Sequence, residues 1–471
     1  MRYLGIPVNK MRIRNKDWSK VENKVASKCA GWQGRLLNIT GRTTLVQTCL
    51  TSMPIYMMSF YRIPVGVRKR IDFYRSKLVW QEDKDKKKYH LVKWSVVCQP
   101  KSQGGLGLLN IDVMNQALLA KWLWKLESGS GLWQTIIKKK YIPEGCVSAI
   151  RHRPGNSQFW SGIMGIKNTF YRYCKKKIGN GENTRFWEDW WVDTKPLCTN
   201  YTRLYGLCRK KNITVAYILN NGWDLVTFRR TLWGDTLQAW NSIKNTCNSV
   251  MLIQGEDQVT WTLTANGIFS VKSLYNEMML NDIGYPHKFM WKAKLPQKIK
   301  IFLWLVLRNS ILTKDNLVRR GWKGSVNCHF CGDVETINHL FISCSVARLI
   351  WSIFHCTYNF NRKPESVKDL FGGWLRSFGK KKKKMVVVGA AAILWAIWNA
   401  RNEICFERKK IHDPFVLIHR VAFLINSWAI LQPKQESSVE MIWGAKLLER
   451  VASEVFNASK GWRPGAFRIT A

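Results

Sequence analysis

Cys328, Cys331, His339 and Cys344 form a Cys-x2-Cys-x7-His-x4-Cys series, the donor types and spacing that one tetrahedral zinc ion requires. The two-residue gap lets a single tight turn, supplied by Gly332, aim both thiolates of Cys328 and Cys331 at one point, and His339 and Cys344 close the tetrahedron from the next segment. All four positions are filled by protein, so the chemistry implied is structural and not hydrolytic. The spacing leaves one alternative open: in a chain of 13 cysteines, Cys328, Cys331 and Cys344 could be buried thiols and His339 a core histidine. His329, His355 and Cys356 are nearby substitutes as ligands but are not favoured, and His329 sits between the paired cysteines, where its side chain should point away.

The segments around these donors are strongly basic. Lys and Arg number 75 against 31 Asp and Glu, a formal net charge of +44. Such self-repulsion is rare in a purely metabolic enzyme and points to a polyanionic partner. Nucleic acid fits best, bound through its backbone with counterion release. The most one-sided stretch runs from Lys288 to Lys323, with ten basic residues and one acid, Asp315. Within it Lys292, Lys294, Lys298, Lys300, Arg319, Arg320 and Lys323 are the candidate nucleic-acid contacts; for each, a solvated helix face is the competing role. The metal loop from Cys328 to Cys344 has Asp333 and Glu335 but no Lys or Arg, so it should position the basic flank and not grip phosphate itself. Leu340 and Phe341 are expected as its apolar shell. The 25 tryptophans lie mostly at helical spacing with other apolar residues, which places most of them in cores and leaves a few to stack on bases.

The chain's 471 residues suffice for two to four domains without disulfides. No apolar N-terminal signal is present, so the expected location is nuclear or cytoplasmic, with the nucleus favoured, and the expected thiols are free. The apolar run Met385 to Trp398 is shorter than the roughly 20 residues of a bilayer span and reads as a buried helix; no membrane partner is expected. The Lys380 to Lys384 run before it reads as a solvated loop, with nuclear import as the rarer alternative.

Helix periodicity runs from Trp18 through Val21, Val25, Cys29 and Trp32 to Gly34, then from Gly41 to a break at Pro54, over Val67 to Trp80, and over Asn115 to Leu126 with Leu118, Leu119 and Trp122 on one face. From Pro143 the texture becomes loop-rich and aromatic. Gln258 to Thr264 and Ile268 to Val271 read as a hairpin about Asn266-Gly267, feeding a helix from Lys272 to Leu280. The fold class is mainly α with small β-hairpins (α+β), multi-domain: 1–140 helical, 141–256 a loop-rich aromatic connector, 257–360 a zinc-stabilised domain, 361–471 a basic helical segment.

Several motifs, in order, carry a family resemblance. Tyr3-Leu-Gly-Ile-Pro7, Trp32-Gln-Gly-Arg-Leu-Leu37, Gly41-Arg-Thr-Thr-Leu45, Pro54-Ile-Tyr56, Trp94, Pro100-Lys101, Gly104-Gly-Leu-Gly107 and Asn115-Gln-Ala-Leu-Leu119 resemble the segment after the polymerase palm in plant LINE-type (non-LTR) retrotransposon reverse transcriptases. Gly179-Asn-Gly181 with Arg185-Phe-Trp187 looks like the connector of that family. Gly267 to Lys272, Trp291, Pro296, Lys298 and the four donors are similar to its zinc-binding domain, and Trp398-Asn-Ala-Arg-Asn402 with Phe406 to the helix beyond. The resemblance implies that residues 1–140 are thumb-like.

The sequence departs from the family in having no Asp-Asp dipeptide to hold the two Mg²⁺ ions of a polymerase. Its nearest acidic groups, Glu82-Asp83-Lys84-Asp85 and Glu188-Asp189, read as solvated surface, and Gly104-Gly-Leu-Gly107 as a turn and not a phosphate loop. With Met1 falling almost on the Tyr3 motif, the expectation is a remnant without polymerase palm or ribonuclease H, non-catalytic, holding one structural zinc and binding RNA or single-stranded DNA. Two other readings stay open: an accessory part acting with a palm-bearing reverse transcriptase chain, and a degenerate fragment with no selected function.

Overall fold

The computed structural model describes residues 2–3, 6–7, 13–30, 37–80, 89–142, 147–150, 153–280, 284–287, 289–407 and 413–458. Glu82 to Asp85, and the expected end of the first helix at Trp32 and Gly34, lie outside them. The described chain is mainly helical, with four short strands in two antiparallel pairs. It forms two compact units, each assembled from separate stretches: 1–31, 47–75 and 109–280 in one, and 32–46, 76–108 and 281–471 in the other.

In the first unit, β1 (Arg2–Tyr3) pairs with β2 (Ile6–Pro7), and α1 (Ser19–Ala30) and the part of α2 (Val65–Trp80) up to Arg75 follow. Trp18, Met58, Val67, Ile71 and Ile111 share one core. Helix α3 (Ile111–Ser128) shows why the local sequence folds as it does. Asn110 caps it, its side-chain oxygen accepting from the amides of Asp112 (3.0 Å) and Val113 (3.2 Å), and Asp112 complements the positive end of the helix dipole. Its buried face is Ile111, Asn115, Leu119, Leu123 and Leu126. Leu118 and Trp122, expected on the same face as Leu119, are half-buried to either side. Leu119, Leu123 and Leu126 enter a second core with Trp160, Phe170 and Trp261.

The aromatic connector contains more helix than its punctuation suggests. Helix α4 (Asp235–Asn248) sets Trp240, Ile243 and Cys247 against Phe186, Trp187 and Trp191. Asp257 fastens the Gly179-Asn-Gly181 turn by accepting from the amides of Gly179 (2.8 Å) and Gly181 (2.9 Å) and from the Thr184 hydroxyl (2.7 Å).

Two expectations are corrected in this unit. The Asn266-Gly267 turn forms, with Gly267 at φ +69° and Trp261 N donating to Gly267 O at 2.8 Å, but the return segment is not a strand. Ser270 instead caps α5 (Val271–Met279), accepting from Ser273 N, and β4 (Gln258–Trp261) pairs with β3 (Cys174–Lys177), Cys174 opposite Trp261. Nor is Asp189 solvated: it is 4% exposed, with Lys176 Nζ at 3.6 Å, Arg185 Nη2 at 3.4 Å and the Arg185 amide donating to it at 2.8 Å. An acid among tryptophans is buried here because two buried cations compensate it.

In the second unit α6 (Gln297–Leu307) follows Pro296 and buries Ile299 and every residue from Ile301 to Val306. Trp304 Nε1 donates to Gly104 O at 2.7 Å. The Gly104 to Gly107 segment is the expected turn, with Gly104 at φ +85° and Gly107 at φ +76°, where a side chain would be strained. Helix α7 (Ser345–Tyr358) leads to α8 (Lys380–Glu407), α9 (Phe415–Ala429) and α10 (Gln435–Ala458).

The lysine run is not a loop: Lys380 to Lys384 form the first turn of α8, and Lys381 pairs with Glu440 of α10 at 2.7 Å. Five cations oppose the dipole at that end, and the continuous buried stripe from Val386 to Leu394 offsets the cost. By length and composition the 28 residues of α8 could cross a bilayer, yet 67% of its apolar window is buried inside the protein. Gly389 makes this packing possible, since a Cβ there would lie 2.5 Å from the Phe354 ring of α7.

Candidate metal centre

The sequence around the four donors folds into two short pieces that face each other. Cys328 and Cys331 flank a turn closed by Gly332 N donating to Cys328 O at 3.0 Å, with Gly332 at φ +87°, as its expected role requires. His339 opens a wide helical turn ending at Ser343, and Cys344 immediately precedes α7. Leu340 and Phe341 are fully buried beside the site, as expected of its apolar shell.

The four donor atoms all lie within 4.8 Å of one another. The Sγ atoms of Cys328 and Cys344 are 4.0 Å apart, those of Cys344 and Cys331 3.8 Å, and Cys331 Sγ is 3.1 Å from His339 Nε2. Bonds of about 2.3 Å to sulfur at tetrahedral angles put sulfur atoms roughly 3.8 Å apart, so the spacing fits one zinc. His329, His355 and Cys356 take no part in this group. Without metal the cluster concentrates charge on one sulfur: hydrogen bonds from Cys344 and then His339 pull the Cys328 thiol down to about 4, against the opposing effect of burial. The same hydrogen bond raises Cys344, burial raises Cys331, and the contact with Cys328 raises His339. Three sulfur donors and an imidazole nitrogen converging on one point are chemistry suited to a divalent ion. Filled by three cysteines and a histidine, the site leaves zinc no open position for a reacting water.

Glu335 lies between the two halves of the donor set, in a loop whose sequence shows it only as an acid. It is 0% exposed and faces Arg401 of α8, 2% exposed, at 2.8 Å. The one sequence signal was the Trp398-Asn-Ala-Arg-Asn402 motif, which marked Arg401 without a partner.

The seven basic candidates do not form one equivalent set. Lys292, Lys294, Lys298 and Lys323 are exposed. Lys300 is half-buried and donates to Trp291 O at 3.1 Å. Arg319 is paired with Asp315, and Arg320 donates to His90 O at 3.2 Å while lying over the Tyr89 ring. Asp315 is thereby neutralised by its own helix.

This is a closed Cys3His zinc centre within a helical, basic protein. Residues 269–351 match the family described as zinc-binding in reverse transcriptase, and that segment belongs to it. The chain is 30% identical over 368 residues to an Arabidopsis thaliana protein provisionally named a ribonuclease H protein, covering 74% of this chain and 57% of that one. It is also 28% identical over 149 residues to an uncharacterised mitochondrial protein of the same plant, covering 31% of this chain and 97% of that protein. The match thus spans little more than half of the larger relative. The zinc-binding segment of the reverse-transcriptase kind and these relatives together support a retrotransposon-related protein.

Proposed function

We propose that this chain is a non-catalytic, LINE-type reverse-transcriptase-derived protein that binds RNA or single-stranded DNA through the basic flank of its zinc domain, with the nucleus as the favoured site of action. The observation that supports this most is the exposure of Lys292, Lys294, Lys298 and Lys323 in a stretch whose single acid, Asp315, is held by Arg319. Trp322, 38% exposed beside Lys323, offers a face on which an unpaired base can stack. The closed donor set supports binding over hydrolysis, and the sequence contains no Asp-Asp pair to hold polymerase metals.

The test is a salt titration of the full chain on a 30-nucleotide single-stranded RNA. Changing Lys292, Lys294, Lys298 and Lys323 together to Gln should flatten the slope of log affinity against log salt by roughly 3, at about 0.7 per lost phosphate contact on a single strand. Removing similar charge elsewhere, at Lys138, Lys139 and Lys140, should alter it far less. Equal slopes in both variants would reduce the interaction to net charge and defeat the reading.

A further inference from the structure

We infer that Glu335 and Arg401 are positioning residues that link zinc binding to the seating of helix α8, so that each stabilises the other. Glu335 lies four residues after Cys331 and four before His339. Its carboxylate is fully buried and accepts from Arg401 Nη2 (2.8 Å) and Nε (3.1 Å) and from the backbone amide of Lys314 (3.0 Å). Its own backbone is also tied, its amide donating to Val326 O at 2.9 Å and its carbonyl accepting from Asp315 N at 3.2 Å. Lys314 closes the other side, its ammonium donating to Asn327 O next to the first ligand.

Arg401 is equally committed. Its Nη1 donates to Asn402 Oδ1 at 3.1 Å and its Nη2 to Leu312 O at 3.3 Å, and its guanidinium lies over the Trp398 ring. The zinc loop can therefore hold its ligands in place only with Glu335 in this socket, and the socket is complete only when α8 delivers Arg401. A buried carboxylate deprived of its guanidinium would have to leave the interior or be neutralised, and either move drags the chain between Cys331 and His339. By reciprocity, if a docked α8 strengthens zinc binding, bound zinc strengthens docking by the same factor. Three thiolates leave a zinc centre with a net negative charge, which the nearby Arg401 and Lys314 cations also favour.

The test uses the full chain and does not depend on nucleic-acid binding. Zinc affinity is measured by competition with a chromophoric chelator, and hydrogen exchange of peptides covering 390–404 is followed with and without zinc. Residues beyond the ligands typically alter metal affinity by about 10–100-fold, so Arg401→Met and Glu335→Gln should each weaken zinc within that range. Arg420→Met is the control, because Arg420 pairs with Glu403 of the same helix at 2.8 Å without reaching the zinc loop; it should loosen α8 and leave zinc affinity nearly unchanged. In the unmodified chain, removing zinc should raise exchange across 390–404, and in Arg401→Met that exchange should already be high and indifferent to zinc. Exchange in unmodified α8 that ignores zinc, or zinc affinity that survives both pair variants, would overturn the coupling. The unmodified-chain arm decides the matter even if a variant fails to fold.

Discussion

Lys298 Nζ lies 4.9 Å from the ring centroid of Trp395, so a cation of α6 is held on an aromatic face of α8. Phe302, also of α6, packs edge-on against Trp395 with centroids 4.9 Å apart. The helix that carries Arg401 thus also orients one of the exposed lysines proposed to meet phosphate. Cation–ring contacts at partly exposed sites contribute about 0.5–1 kcal/mol, and an aromatic pair about as much again. Trp395→Leu, which keeps an apolar side chain, should therefore lower stability by roughly 1–3 kcal/mol once lost packing is included, read from the urea midpoint. A midpoint that does not move would mean that Trp395 contributes only bulk.

Lys300 and Lys294 separate two kinds of lysine in one basic stretch. Burial, followed by the charges of Lys101 and Lys294, lowers the pKa of Lys300, whose ammonium is used on Trp291 O. Lys300→Gln should leave the salt dependence of RNA binding unchanged while lowering stability, whereas Lys294→Gln should reduce the slope by about 0.7 and leave stability alone. The reverse pattern would show that Lys300 leaves its carbonyl to reach phosphate.

Zinc removal is the direct test of the metal centre. The full chain should carry one zinc, and Cys331→Ser should lose it, because a hydroxyl does not ionise to replace the thiolate. Circular dichroism after chelation should show lost helix, since the metal tethers the start of α7 through Cys344. Full helix content without metal would make the four donors ordinary core residues.

Burial pushes the Cys247 thiol up to about 12 from an ordinary 9.0. A raised pKa means the folded chain prefers the protonated form. Its stabilising effect is complete below about pH 9 and is lost as the pH rises through the folded value. Iodoacetamide at pH 9 should therefore spare Cys247 while labelling exposed Cys49 and Cys356, as read by mass spectrometry. The loss of stability between pH 9 and 12 should be shallower in Cys247→Val.

What could be read from sequence was local. The Cys-x2-Cys turn, the Gly332 bend and the Gly104 turn each depend on residues within a few positions of one another, and each is found in the structure. The partner of β4 lies 84 residues upstream in β3, and no alternation of apolar residues specifies it over the nearer segment at 268–271. Lys380 to Lys384 differ from the expected loop for a related reason: a charged run resembles a loop until the buried stripe from Val386 onward extends the helix back through it. Arg401 and Glu335, 66 residues apart, show the same limit at the site, since burial of both charges is visible only in three dimensions.

Asp189 carries the strongest prediction about stability, because it reverses the surface role its neighbours suggested. The carboxylate lies between Lys176 and Arg185, both themselves largely buried, and also accepts from the Ser148 hydroxyl at 3.2 Å. Asp189→Asn keeps the shape and removes the charge that lies between the two buried cations, while Glu188 stays paired to Arg185. Breaking one side of a buried ion pair costs about 3–5 kcal/mol, against close to nothing for a surface pair. Urea unfolding of the full chain, followed by tryptophan fluorescence from the adjacent Trp187 and Trp191, should show a loss of that size. A change under about 1 kcal/mol, the surface-pair range, would mean that water reaches the cluster and that Asp189 is solvated after all.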